Sequence, residues 1–153
     1  MNPTAHGSGI PEWFFPAFVL GWVGVCALLS MMGGWHQLAS RFRAASSIDG
    51  EKFRFTSMSL GSGLFPVNYG NCLFVTVGHL GLALSVLFMF RILHPPLLIP
   101  WSAIEAVRPE KFWFMTRIAV YVRGLNKRLL FPRRVGKKIL ETFNSQGQKK
   151  VSA

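Results

Sequence analysis

The sequence predicts a membrane-anchored protein, with one N-terminal transmembrane α-helix followed by a mainly β domain and a C-terminal helix. Three observations lead there. Residues 13–32 form a twenty-residue stretch without formal charge, which at 1.5 Å per residue spans about 30 Å, the thickness of a bilayer's hydrocarbon core. All 17 Lys and Arg lie beyond residue 40, while the first 40 residues hold a single acid, Glu12. From 80 to 90 and from 111 to 123, large apolar residues alternate with period two, as in strands that bury one face. Only 15% of the 153 residues are charged, against about 25% in ordinary soluble domains. Half are hydrophobic, which excludes disorder for most of the chain, because disordered sequences are poor in apolar residues and rich in charge. The length fits one domain plus an appendage.

Residues 1–12 are expected to be a short non-cytoplasmic N-terminus and 13–35 the transmembrane helix. Trp13 and Trp35 bracket the span about 33 Å apart on a helix, the spacing of two interfacial aromatic belts. Trp22 lies between them, and Arg41 and Arg43 follow the span; these five are the expected membrane anchors. Pro16 sits in the first turn, where its missing N–H costs little. A retained anchor is expected rather than a cleaved signal, since no base precedes the apolar run and the run exceeds an ordinary h-region. Positive-inside logic puts the N-terminus outside and the rest in the cytoplasm, as a single-pass protein of the cell (inner) membrane. Ala17 and Gly21 form one small-xxx-small pair able to admit another helix. Trp35, Leu38 and Phe42 share a face at i, i+3, i+7, so the helix is expected to run on into a juxtamembrane helix and linker, 36–51.

The β domain is expected over 52–144. Residues 53–60 are the first strand and 61–71 a Gly/Pro/Asn loop. Cys72–Phe90 is uncharged over nineteen residues, and hydropathy alone would make it a second transmembrane helix. The alternation of Leu80, Leu82, Leu84, Val86, Phe88 and Phe90 with smaller residues favours a β-hairpin, turning at Gly78-His79-Leu80-Gly81; the second span is the alternative. A short strand at 97–101 follows His94-Pro95-Pro96, and Ser102-Ala103-Ile104-Glu105 has the form of a capping box opening a brief helix. Residues 111–123 read as one strand, with Phe112, Phe114, Thr116, Ile118, Val120 and Val122 on one face. Lys111, Trp113, Arg117, Tyr121 and Arg123 fall on the other. The chain turns at Gly124-Leu125-Asn126, returns over 128–132, and ends in an amphipathic helix at about 134–144 through Val135, Ile139 and Phe143. Residues 145–153 are a polar tail.

No constellation of catalytic residues stands out, and neither metal nor cofactor is expected. Asp49 and Glu51 sit in a Gly-containing linker, and the other carboxylates are scattered among bases. His6, His36, His79 and His94 share no metal-ligand spacing, and Cys26 and Cys72 form neither a disulfide framework nor a C-x-x-C site. The glycines of G-S-G-L-F-P lack the third glycine of a dinucleotide fingerprint. The chemistry lies in the bases: Arg117, Arg123, Lys127, Arg128, Arg133, Arg134, Lys137 and Lys138 fall within 22 residues with no acid between them. Interleaved with Trp113 and Tyr121, and joined by Lys111, they fit anionic headgroups or a protein interface. Nucleic acid is not the expected ligand, since no nucleic-acid motif accompanies them.

Asn71-Cys72-Leu73-Phe74-Val75-Thr76-Val77, then Gly81-Leu82, then Pro96-Leu97-Leu98-Ile99-Pro100-Trp101 and Ile104, resemble the strand pattern of GRAM domains, of the pleckstrin-homology-like (PH-like) superfamily. The resemblance covers about residues 52–144. It implies a PH-like barrel: a seven-stranded, strongly bent sheet with one open end plugged by the helix carrying Val135, Ile139 and Phe143. It implies binding of membranes, lipids or proteins, not catalysis. Phosphoinositide-binding members cluster bases around the loop after the first strand; Lys52 and Arg54 fit the start of such a cluster, but loop 61–71 has none. The expected function is therefore a non-catalytic accessory or assembly subunit of a larger membrane complex, docking its basic domain on a cytoplasmic face. The alternative is a self-contained module that binds anionic lipid headgroups.

Overall fold

The chain is described by a computed structural model over residues 9–44, 48–63 and 66–151. The expectations for 1–8, including His6, and for 45–47, 64–65 and 152–153 lie outside the described residues. The uncharged run forms helix α1, Phe14–Gly33, whose 20 residues are long and apolar enough to cross a membrane. It does not run on as one helix. Gly34 adopts φ 89°, a left-handed conformation that glycine reaches without a Cβ clash and that ends a helix. A separate helix, α2, follows over Trp35–Phe42. The expected face of Trp35, Leu38 and Phe42 is present on α2, but Trp35 and Leu38 are completely buried and Phe42 packs beside them.

Seven antiparallel strands form one curled sheet: β1 Gly50–Gly61, β2 Val67–Gly78, β3 Gly81–Val86, β4 Leu97–Pro100, β5 Ile104–Phe112, β6 Met115–Val122 and β7 Arg128–Phe131. Their order is β4-β3-β2-β1-β7-β6-β5. The concave face holds the core, with Met58, Leu60, Leu73, Val75, Leu82, Leu84, Ile99, Val120, Leu129 and Phe131 at or near zero exposure. Helix α3, Arg133–Val151, closes over this face with Val135 and Ile139 buried. Phe143 meets Trp101 at 6.3 Å between ring centroids. Gly136 lets α3 come this close, because a Cβ there would run into the side chain of Ile118.

The expected hairpin over 72–90 is present as β2 and β3, with Val75 opposite Leu84 and Val77 opposite Leu82; the second transmembrane helix is overturned. Its limits differ. β2 begins at Val67, so 67–71 of the expected loop 61–71 are strand, and Phe88–Leu93 is a 3-10 segment rather than strand. The capping box at 102–105 opens no helix: Trp101–Ala103 is a single 3-10 turn and Ile104 starts β5. The largest correction concerns 111–123, which is not one strand. The chain reverses at Trp113-Phe114, pairing Phe112 with Met115 and Lys111 with Thr116. No glycine, asparagine or proline marks this turn, and Trp113 itself takes the positive φ of 55°. The C-terminal helix also runs on through most of the expected polar tail, to Val151.

Candidate functional site

The C-terminal half of α1 does not stand free. The 88–93 segment climbs alongside it: Ser30 Oγ donates to the Leu93 carbonyl at 2.8 Å, and Trp22 Nε1 donates to the Met89 carbonyl at 3.3 Å. Eight helix residues separate Ser30 from Trp22, so the segment rises about 12 Å along α1. Cys26, Ser30 and Gly33 are buried against it and the sheet, whereas residues 14–21 of α1 are exposed. Phe88 and Met89 are exposed at the top of this segment.

Where α1 meets the sheet, Trp35, Tyr69 and His94 pack ring against ring, with centroids 5.4 to 5.5 Å apart. Trp35 Nε1 donates to the Pro95 carbonyl at 3.1 Å. His94 Nδ1 lies 3.1 Å from the Phe90 carbonyl and Nε2 lies 3.2 Å from the Tyr69 hydroxyl. A carbonyl only accepts, so Nδ1 carries the proton and Nε2 accepts from Tyr69. Burial pushes the His94 pKa down, partly opposed by the Phe90 carbonyl, and pushes the Tyr69 hydroxyl up, with the neighbouring Cys72 adding to the rise. The Cys72 thiol is also raised by burial. This cluster is a structural joint. It overturns the expectation that Trp35 is an interfacial anchor, because the kink at Gly34 turns its ring into the core. Trp13 remains exposed at the far end of α1, and Trp22 lies against the 88–93 segment.

Two shallow grooves flank α2 at this foot. One, of about 310 Å3, lies between α2 and the β6–β7 turn and is lined by Arg41, Arg123 and Lys127. Arg41 Nη1 donates to the carbonyls of Gly124 at 3.1 Å and Arg123 at 3.4 Å, and Lys127 Nζ donates to the Met32 carbonyl at 2.7 Å. Lys127 therefore caps the C-terminal end of α1, where the helix dipole favours a cation. The other groove, of about 300 Å3, lies between α2 and the 88–93 segment and is lined by His36, Arg43 and Arg91. Among the described residues no carboxylate lines either groove.

The basic cluster read along the chain divides in space. Arg108, Glu110, Arg117, Tyr121 and Arg128 share the convex face of β5, β6 and β7. Glu110 accepts from Arg128 at 3.1 Å, lies 3.8 Å from Arg108, and also accepts from the Tyr121 hydroxyl. The Arg108 guanidinium lies 4.6 Å from the centre of the Tyr121 ring. Arg117 Nη1 donates to Ser59 Oγ at 3.2 Å. Lys111 stands on the opposite face of the sheet, with Thr116 and Ile118, so it does not share a face with Arg117 and Tyr121 as expected. Trp113 belongs to the turn and Arg123 to the far end of β6, paired with Glu105 at 3.6 Å. Arg133, Arg134, Lys137 and Lys138 begin α3, where Lys138 pairs with Glu51 at 2.9 Å, and that contact holds its ammonium charged. At the β5–β6 tip, Trp113 is 73% and Phe114 97% exposed.

Ala17 and Gly21 lie on the face of α1 turned away from the 88–93 segment, with Gly24 and Leu28 at the following turns; a Cβ at Gly21 or Gly24 would meet nothing within 4 Å. Among the described residues, no three His, Cys, Asp or Glu side chains gather as metal ligands. Comparison with protein families, with curated proteins and with solved structures finds no match to this chain. The sequence reading missed Arg91, His94 and Tyr69. Arg91 carries a readable signal, as the one charge within the apolar run from 72 to 93. The other two become legible only once Gly34 brings α2 under the sheet.

Proposed function

We propose that this chain is a non-catalytic accessory subunit of a membrane protein complex, anchored by α1 with its N-terminus outside and its β domain in the cytoplasm. The observation that carries this reading is the division of labour on α1. One face, through Trp22, Cys26, Ser30 and Gly33, is used by the chain's own 88–93 segment and sheet. The opposite face offers Ala17, Gly21 and Gly24, where small side chains let a second helix approach closely. The bent seven-stranded sheet with its packed C-terminal helix supports a PH-like domain, a scaffold used to bind rather than to catalyse. The exposed Trp113-Phe114 tip, of the residue types that anchor protein interfaces, supplies a second contact for a partner.

Extraction of the native protein in mild detergent, followed by sizing and mass spectrometry of what co-elutes, tests the proposal. A stoichiometric membrane-protein partner is expected with the native chain and its loss with Gly21→Leu, at an exposed position where an added Cβ meets nothing within 4 Å. A small monodisperse species from native membranes would overturn it and favour the self-contained lipid module.

A further inference from the structure

We propose that the groove between α2 and the 88–93 segment seats the phosphate of an anionic lipid headgroup, held by Arg43 and Arg91. The inference rests on the reading of α1 as a membrane span and adds a ligand to it. Arg43, Arg91, His36 and Ser40 line the groove with Leu93 and Pro95. All six carboxylate side chains of the protein lie within the described residues, and none pairs with Arg43 or Arg91. Among the described residues neither guanidinium makes a hydrogen bond to the chain, whereas Arg41 and Lys127 in the companion groove are engaged by backbone carbonyls. Two arginines left without an internal partner, beside a cavity with no acid, are arranged for an external anion. The planar guanidinium fork matches phosphate oxygens in pairs.

Height along α1 identifies the source of that anion. The 88–93 segment rises about 12 Å from Ser30 to Trp22. Arg91 therefore lies between the exposed apolar residues Phe88 and Met89 above and the foot of α1 below. With α1 in a bilayer, Phe88 and Met89 enter the acyl region and the Arg91 side chain snorkels towards α2, where headgroup phosphates lie. A soluble phosphate compound would not require the apolar residues that flank the site.

The test uses the full-length protein in two arms. Flotation on phosphatidylcholine vesicles at high salt checks the span. Native mass spectrometry from micelles holding equal phosphatidylglycerol and phosphatidylcholine then reads headgroup preference. The expected result is retained phosphatidylglycerol, with the preference cut roughly ten- to thirtyfold in Arg43→Gln/Arg91→Gln, since one base beside an anionic surface is a factor of about five. The double variant should still float. Arg133→Gln/Lys137→Gln, which removes the same charge from α3, should keep the preference. Equal retention of the two lipids by the native chain, or an equal loss in the α3 variant, would overturn the headgroup site while leaving the span intact. Failure of the native chain to float would remove the span itself, and the site with it.

Discussion

The foot of α1 and the β5–β6–β7 face use the same residue types in opposite ways. At the foot, the aromatics Trp35, Tyr69 and His94 are buried, and Arg43 and Arg91 have no carboxylate partner. On the β5–β6–β7 face the cations are occupied, with Arg108 and Arg128 on Glu110, and the aromatics Trp113 and Phe114 stand in solvent at the tip. The contrast teaches that a run of bases along a chain is not a patch in space. One half-buried carboxylate, Glu110, draws Arg108 and Arg128 into internal structure, while Arg133, Arg134 and Lys137 of the same basic stretch go with α3. Arg43 and Arg91, beside α2, keep their charge facing outward because among the described residues no acid reaches them.

Removing one aromatic from each region gives the largest expected difference. Trp35→Ala deletes a fully buried side chain at the joint of α1, α2 and the sheet, and should cost about 3–5 kcal/mol. Trp113→Ala removes an exposed ring and should change stability by less than about 0.5 kcal/mol. Chemical unfolding in detergent, followed by the circular dichroism of the sheet, measures both. Equal costs would erase the distinction between joint and tip.

The cations give the next difference. Glu110→Gln leaves the partly enclosed Arg128 without its ion pair, and Arg128 Nε already has no hydrogen-bond partner among the described residues. The expected loss is about 1–3 kcal/mol, persisting in high salt because the pair is shielded from solvent. Arg43→Gln should lie within about 0.5 kcal/mol of the native chain, because its exposed side chain contributes no internal pair. A destabilising Arg43→Gln would mean that the foot cations hold the fold rather than face outward.

Much of the sheet is legible from the sequence because burial on one face imposes alternation: Leu82, Leu84 and Val86 are buried as their period-two spacing requires. The same logic fails at 111–123. A two-residue turn without Gly, Asn or Pro leaves no mark, so alternation continues through it while Phe112 and Phe114 leave the face of Ile118 and Val120. Trp13 and Trp35 look equivalent as ends of an apolar run. What separates them is Gly34, whose turn folds α2 under the sheet, and a lone glycine in an apolar stretch is too common to announce a kink. Pairing among charges was illegible for a related reason. Glu110 meets Arg128 across the two hairpins of β5, β6 and β7, a contact set by register rather than by nearness along the chain.

The joint and the tip also differ in their response to acid. His94 is enclosed by Tyr69, Trp35 and the Phe90 carbonyl, among the described residues has no charged group in hydrogen-bond contact, and is lowered in pKa by burial in the folded state. Between that lowered value and the ordinary value of about 6.5, the unfolded chain binds more proton than the folded one. Stability contributed by neutral His94 is therefore complete above about pH 7 and falls as pH drops through 6.5, with a slope of at most about 1.4 kcal/mol per pH unit. The loss ends once the pH lies below the folded-state pKa, where both states carry the charge. His94→Gln should be less stable than the native chain at pH 8, because it gives up the ring contacts, yet flat between pH 5.5 and 8. The two stability curves should therefore converge on acidification, while the native and Trp113→Ala curves stay parallel. Parallel curves for His94→Gln would show that the imidazole charges without cost, and that the joint is open to water at the position where the packing of Trp35 and Tyr69 closes it.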